Sequence, residues 1–204
     1  MTSELKVFGT DGVRGKVGEY PMTVDFTSRL AGAAASVLAP EGGTVIVGKD
    51  TRISGYMFES ALEAAFVASG LDVVLLGPFP TPAISFTTKD CNANFGVVIS
   101  ASHNSYEYNG LKILNNRGEK IDKKLEIDIK NQLSKDPITQ TADTIGRATR
   151  NPDARGNYMN FISGIFNQPR PFRNIKVVVD CSHGAAYKIA PRMLSALGAD
   201  VIPI

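Results

Sequence analysis

Short runs of branched and aliphatic residues recur along the chain at 44–48 (TVIVG), 72–77 (DVVLLG), 95–100 (FGVVIS), 110–114 (GLKIL) and 175–180 (IKVVVD). Runs of this length and branching, bounded by polar or glycine-rich sequence, predict strands. They show no clean alternation, so both faces of the sheet are expected to be covered. Residues 199–204 read as the start of one more strand. Between the runs, apolar residues return every three or four positions. Thr23 can cap a helix whose stripe is Phe26, Leu30, Ala33, Ala34 and Val37, ending before Pro40. A second helix opens at Ser54 or Gly55, buries Phe58, Ala61, Leu62, Ala65 and Phe66, and closes at Gly70. Residues 82–89 predict a short helix with proline in its first turn. The segment 121–133 is amphipathic and charged, and is expected at the surface; 154–166 and 185–197 complete the helical set.

Strand and helix alternate throughout, which is the pattern of an α/β sheet with helices on both faces. The stretch 134–151 is polar, Thr-rich and without periodicity, and reads as a linker. This divides the chain into 1–150 and 151–204. The second unit offers only two strands, too few to bury the face of a sheet, so it is expected to be an incomplete α/β domain.

Composition narrows the classes. With 204 residues, 43% hydrophobic and 21% charged, the chain can bury a core without disulfides or metal. The cysteines, Cys91 and Cys181, stand far apart, which fits reduced thiols in a cytoplasmic protein. No apolar run approaches the ~20 residues of a bilayer span, and the first residues lack a signal-peptide pattern. Residues 111–174 carry twelve Lys/Arg against seven Asp/Glu within a net charge of +2. That excess is diffuse and poor in aromatics, unlike a nucleic-acid stripe. No nucleic-acid or membrane partner is expected.

Four loops carry the candidate chemistry. Ser100, Ser102, His103 and Asn104 follow the third strand run, where ligands of open α/β sheets collect; the plain alternative is a polar turn capping a helix. A serine hydrolase is disfavoured because the Gly-x-Ser-x-Gly elbow is absent. The segment FGTDGVRG at 8–15 is glycine-rich and holds Arg14, whose guanidinium suits phosphate oxygens, although a structural turn is the plainer reading. Asn109-Gly110 reads as a turn that starts a strand, with Lys112 projecting from it. Lys49, Asp50 and Arg52 follow the first run, and Asp50 and Arg52 are read as paired and pinning their own loop. Together Arg14, Lys49, Arg52, His103 and Lys112 near a serine suit an anionic ligand, of which phosphate is the common one.

These pieces jointly resemble the α-D-phosphohexomutase superfamily: FGTDGVRG at 8–15, YPMT at 20–23, GKDTRISGYM at 48–57, LLGPFPTPA at 75–83, VVISASHN at 97–104, NGLKI at 109–113 and VVVDCSHGAAY at 177–187. The resemblance spans the chain and is nearest to the branch acting on glucosamine phosphate. It implies a mixed, mostly parallel sheet flanked by helices on both faces, followed by the incomplete second domain. It also implies an intramolecular phosphotransferase that interconverts a hexosamine 6-phosphate and 1-phosphate through a bisphosphorylated sugar. Ser102 matches the phosphoserine; Arg14, His103 and Lys112 match its surroundings; the Ser102 phosphate would supply one ligand to Mg²⁺. A phosphoserine carries about −1.5 to −2 charges, so it needs such a cationic cradle. Branches acting on mannose or glucose phosphates share the serine loop and stand as the alternative.

Two positions depart from the family pattern: Ser105 stands where most relatives have proline, and His183 where they usually have asparagine. The family's Asp-x-Asp-x-Asp-Arg metal loop is not in the sequence, nor are its sugar-reading and distal phosphate motifs. The remaining Mg²⁺ ligands are therefore expected in the missing part of the second domain, and the isolated chain is expected to be catalytically incomplete. The rival reading is a non-catalytic interaction fragment, a homo-oligomer or a module docking through its incomplete second domain.

Overall fold

A computed structural model describes residues 7–9 and 12–204; the first six residues, Thr10 and Asp11 of the glycine-rich segment lie outside the described residues. The elements run β1 (Val13–Lys16), α1 (Val24–Leu38), β2 (Gly43–Lys49), α2 (Ser54–Ala68), β3 (Leu71–Pro78), α3 (Thr81–Asp90), β4 (Phe95–Ile99), β5 (Tyr108–Leu114), α4 (Lys123–Gln132), β6 (Ala148–Arg150), α5 (Ala154–Ser163), β7 (Lys176–Val179), α6 (Ala190–Ala196) and β8 (Asp200–Pro203). The first six strands form one sheet in the order β1-β5-β4-β2-β3-β6. The β2, β3, β4 and β6 pairings are parallel, while β5 runs antiparallel to both β4 and β1. The sheet is thus mixed and mostly parallel.

Each face of this sheet carries its own apolar layer. Val45, Val47, Val73, Leu75, Phe95, Val97 and Ile99 face α1, α2 and α4, while Ile46, Val98 and Leu114 face α3 and α5. Alternate residues of one strand therefore serve opposite layers. That is why the runs lacked a polar beat: both sides of the central strands are indoors. Gly48 shows how close the second layer comes, since a Cβ there would meet Ile84 Cδ1 at 2.5 Å. The helix starts follow the expected chemistry. Thr23 Oγ1 accepts from Phe26 N at 3.2 Å, and Asp122 Oδ1 accepts from Leu125 N at 2.9 Å.

Four expectations need correction. β1 was not foreseen, because an edge strand with one inward residue, Val13, has no apolar run to betray it. The polar 134–151 stretch is not wholly a linker: β6 lies in it and adds to the outer edge of β3 through backbone pairing, with all three side chains exposed. β5 begins at Tyr108, so Asn109 and Gly110 lie inside the strand rather than in a turn before it. The 185–197 pattern is two pieces, a 3₁₀ turn at Ala185–Lys188 and α6. Pro191 has no N–H to continue a helix but fits the first turn of a new one. The strands β7 and β8 pair in parallel as a separate two-stranded sheet, and Val178 and Ile202 on it are exposed.

Candidate active site

The carboxyl ends of the parallel neighbours β2 and β4 bring two loops together, and that adjacency makes the site. Asp50 N donates to Ile99 O at 3.0 Å, which holds the start of the 50–53 loop against the start of the 100–105 loop. Asp50 then organises both. Its Oδ2 accepts from the Ser100 hydroxyl at 2.8 Å and from Arg52 Nε at 3.0 Å, and its Oδ1 accepts from Arg52 N at 3.0 Å. The Ser100 oxygen in turn accepts from Ser102 N at 3.0 Å.

Ser102 is exposed and has φ 59°, the left-handed region. For a residue with a Cβ this conformation costs about 1–2 kcal/mol, and it persists only where the surroundings fix it. Its hydroxyl oxygen lies 3.4 Å from His103 Nδ1. Asn104 N closes the turn on Ala101 O at 3.2 Å. The Arg52 guanidinium reaches across from the other loop and donates to three carbonyls: Ser105 at 2.7 Å, Ser102 at 3.0 Å and Asn104 at 2.7 Å.

Ser102, His103 and Asn104 line a cavity of about 790 Å³ with Asp50, Arg52 and Tyr106. That volume lies in the range of small-molecule sites. The far wall comes from the 181–186 segment after β7, including Ser182 and His183, and the Thr51 hydroxyl donates to the His183 carbonyl across the gap.

The other sequence candidates distribute unevenly. Arg14 on β1 stands opposite Gly110, and its Nη1 donates to Asn104 Oδ1 at 3.5 Å, the outer limit of a hydrogen bond. Gly110 makes room for that side chain: a Cβ there would meet Arg14 Cγ at 2.8 Å and the Ser100 carbonyl oxygen at 2.8 Å. Lys112 lies opposite Val98, a cavity residue, and so rises from the same face of the sheet. Lys49 does not join the cationic group. It is buried against Glu59 with its ammonium 3.9 Å from the Tyr56 ring centre, and belongs to the core beneath α2. Arg52 is also spent, on Asp50 and the serine-loop carbonyls. The pairing of Asp50 with Arg52 was legible in the sequence; that the pair pins a different loop was not.

Among the described residues no group of three or more His, Cys, Asp and Glu side chains lies together as a metal site. The carboxylate nearest Ser102, Asp50, is already committed to Arg52 and Ser100. These residues do not form the oxygen cage that Mg²⁺ requires.

Comparison with known proteins gives a consistent result. The family model for phosphoglucomutase/phosphomannomutase α/β/α domain I matches residues 5–140. The chain is 49% identical over 203 residues to a phosphoglucosamine mutase of Vibrio campbellii, covering 99% of this chain and 46% of that protein. It is 50% identical over 206 residues to a phosphoglucosamine mutase of Halorhodospira halophila, covering 45% of that relative. The chain therefore spans about half the length of these curated relatives. Among solved structures, a phosphoglucomutase/phosphomannomutase family protein of Burkholderia thailandensis superposes with a TM-score of 0.80 at 27% identity, over 98% of this chain and 43% of that one.

Proposed function

The chain belongs to the phosphoglucomutase/phosphomannomutase family, and from that premise we propose that it is the phosphoserine-bearing front part of a phosphoglucosamine mutase. Residues 1–150 would be the phosphoserine domain and 151–204 the front of a second domain. The substrate is a hexosamine phosphate, interconverted between glucosamine 6-phosphate and glucosamine 1-phosphate in the cytoplasm. The glucosamine reading draws on relatives of that name at 49–50% identity. The observation that carries the site is Ser102, an exposed hydroxyl in a fixed left-handed turn at the end of β4, beside His103 and inside a sugar-sized cavity.

Phosphoryl transfer asks for positioning and charge stabilisation more than for covalent assistance. As the Ser102 Oγ–P bond breaks, a sugar hydroxyl oxygen bonds to phosphorus and loses its proton. The serine oxygen regains a proton, and His103 Nδ1 is near enough to deliver it. The bisphosphorylated sugar then turns and returns its other phosphoryl group to Ser102. Arg14, and Lys112 on the cavity side of the sheet, offset the charge of the travelling group. The family resemblance brings Mg²⁺, which would further neutralise the phosphoryl oxygens. A phosphorylated Ser102 offers it one ligand, and the rest of its shell is not found among the described residues.

Intact-mass analysis tests this directly. After incubation with glucosamine 1,6-bisphosphate, the chain should gain one phosphoryl group, and the Ser102→Ala chain none. Equal gain by both would move the chemistry off Ser102 and sink the reading.

A further inference from the structure

The molecule contains a second turn built like that of Ser102. Ser182 follows β7, has φ 46°, and is followed by His183 just as Ser102 is followed by His103. Its amide is held by the side chain two residues earlier, Asp180 Oδ1 at 2.7 Å, as Ser102 N is held by Ser100 Oγ. The turn closes with Gly184 N on Cys181 O at 2.8 Å, as Asn104 N closes on Ala101 O. Both turns line the same cavity. They differ in what reaches them from outside. The 182–184 turn receives a single hydroxyl, from Thr51, whereas the 102–105 turn receives three hydrogen bonds from one guanidinium.

A left-handed serine turn therefore forms here without an arginine, and the Arg52 bonds are surplus to making the turn. What they add is registration. Arg52 is anchored to Asp50 at the end of β2, its side chain is largely buried, and its N–H groups are directed into the backbone of the serine loop. We propose that Arg52 is a positioning residue, which fixes the Ser102 loop relative to the cavity while leaving the turn's own geometry to Ser100 and Ala101. It is not a phosphate ligand, because its forked donors are already occupied by carbonyls. A lysine cannot substitute: its ammonium is a point donor and does not span three carbonyls with the geometry of a planar fork. The part of this assignment that concerns catalysis rests on the phosphoserine reading of Ser102; the part that concerns loop order does not.

The test uses the 204-residue chain with Arg52→Lys and Arg52→Met. Backbone ¹⁵N relaxation should show the order of residues 102–105 falling to that of 182–184 in the same molecule. The Ser102 Cα and Cβ shifts should keep their left-handed values, and the melting temperature should stay near wild type. Phosphoryl uptake from glucosamine 1,6-bisphosphate should slow by about 100-fold in both variants, the scale expected when a reacting group is misplaced by an ångström. Unchanged order at 102–105 in folded variants, or unchanged uptake where the wild type is phosphorylated, would overturn the proposal. Failure of both variants to fold would also overturn it, in favour of a purely structural arginine. If the wild type takes up no phosphoryl group, the proposed function fails, and the relaxation data alone decide the role of Arg52.

Discussion

At the scale of single residues, the same charged segment yields two opposite outcomes. Lys49 and Arg52 are three residues apart after one strand run, and both invited assignment to an anion cradle. Lys49 is the last residue of β2 and its side chain goes under α2, 1% exposed, against a Glu59 side chain 6% exposed. Arg52 lies in the loop and turns toward the serine turn. One step past the strand end separates core from site, and residue type cannot report it. The Lys49–Glu59 pair also makes a clear energetic prediction. Removing one partner of a buried pair strands the other charge and costs about 3–5 kcal/mol, whereas replacing both with apolar residues of similar size is often near neutral. Lys49→Met should lower the urea midpoint by the equivalent of about 3–5 kcal/mol. Adding Glu59→Leu should recover most of that loss at an unchanged m-value. A double variant no more stable than Lys49→Met would show that the pair is not the dominant interaction of either group.

At the scale of elements, legibility tracked burial. The strands β2, β3 and β4 were found because their residues fill two apolar layers at once, and α1 because Thr23 marks its start. The edge strands β1 and β6 escaped because they are held by backbone hydrogen bonds, which leave no side-chain signature. The helix α4 shows a subtler case. Its charge predicted a surface position, yet Glu126 is buried to 4% exposure beside the buried Ile129. Burial pushes the Glu126 carboxyl up from its ordinary value of 4.5, but hydrogen bonds and charge from Lys123 and Lys120 outweigh it, leaving the group more acidic than usual. A carboxylate depressed in this way stabilises the fold above its unfolded value. That contribution disappears as pH falls through the folded value. Glu126→Gln should therefore cost on the order of 1 kcal/mol near neutral pH, with the gap to wild type closing below about pH 4. Urea titrations of both chains across that range measure it. A gap that stays constant with pH would place the effect in packing rather than ionisation.

At the scale of the whole molecule, the cavity decides what the chain can accomplish alone. One wall is the serine loop on the six-stranded sheet; the other is the 181–186 segment of the two-stranded one. Aromatic contacts of Phe86 and Phe79 on the first unit with Tyr158 and Phe161 on α5 help hold the two parts together. At the rim Ile53 and Tyr106 are more than four-fifths exposed, so the site stays wet. Water in the site weakens each electrostatic contact to the transferring group. The donors here suffice to hold a phosphoryl group on Ser102, but a full mutase cycle must also retain the bisphosphorylated sugar while it turns end over end. Nothing among the described residues encloses it, and no metal cage is formed. The two half-reactions should therefore separate. Given Mg²⁺, glucosamine 6-phosphate and a trace of bisphosphate, the chain should become phosphorylated at Ser102, yet form glucosamine 1-phosphate no faster than its Ser102→Ala variant. A coupled assay for the 1-phosphate, run beside intact-mass analysis, reads both halves at once. Sustained turnover above that variant would mean that two walls are enough to keep the intermediate from escaping.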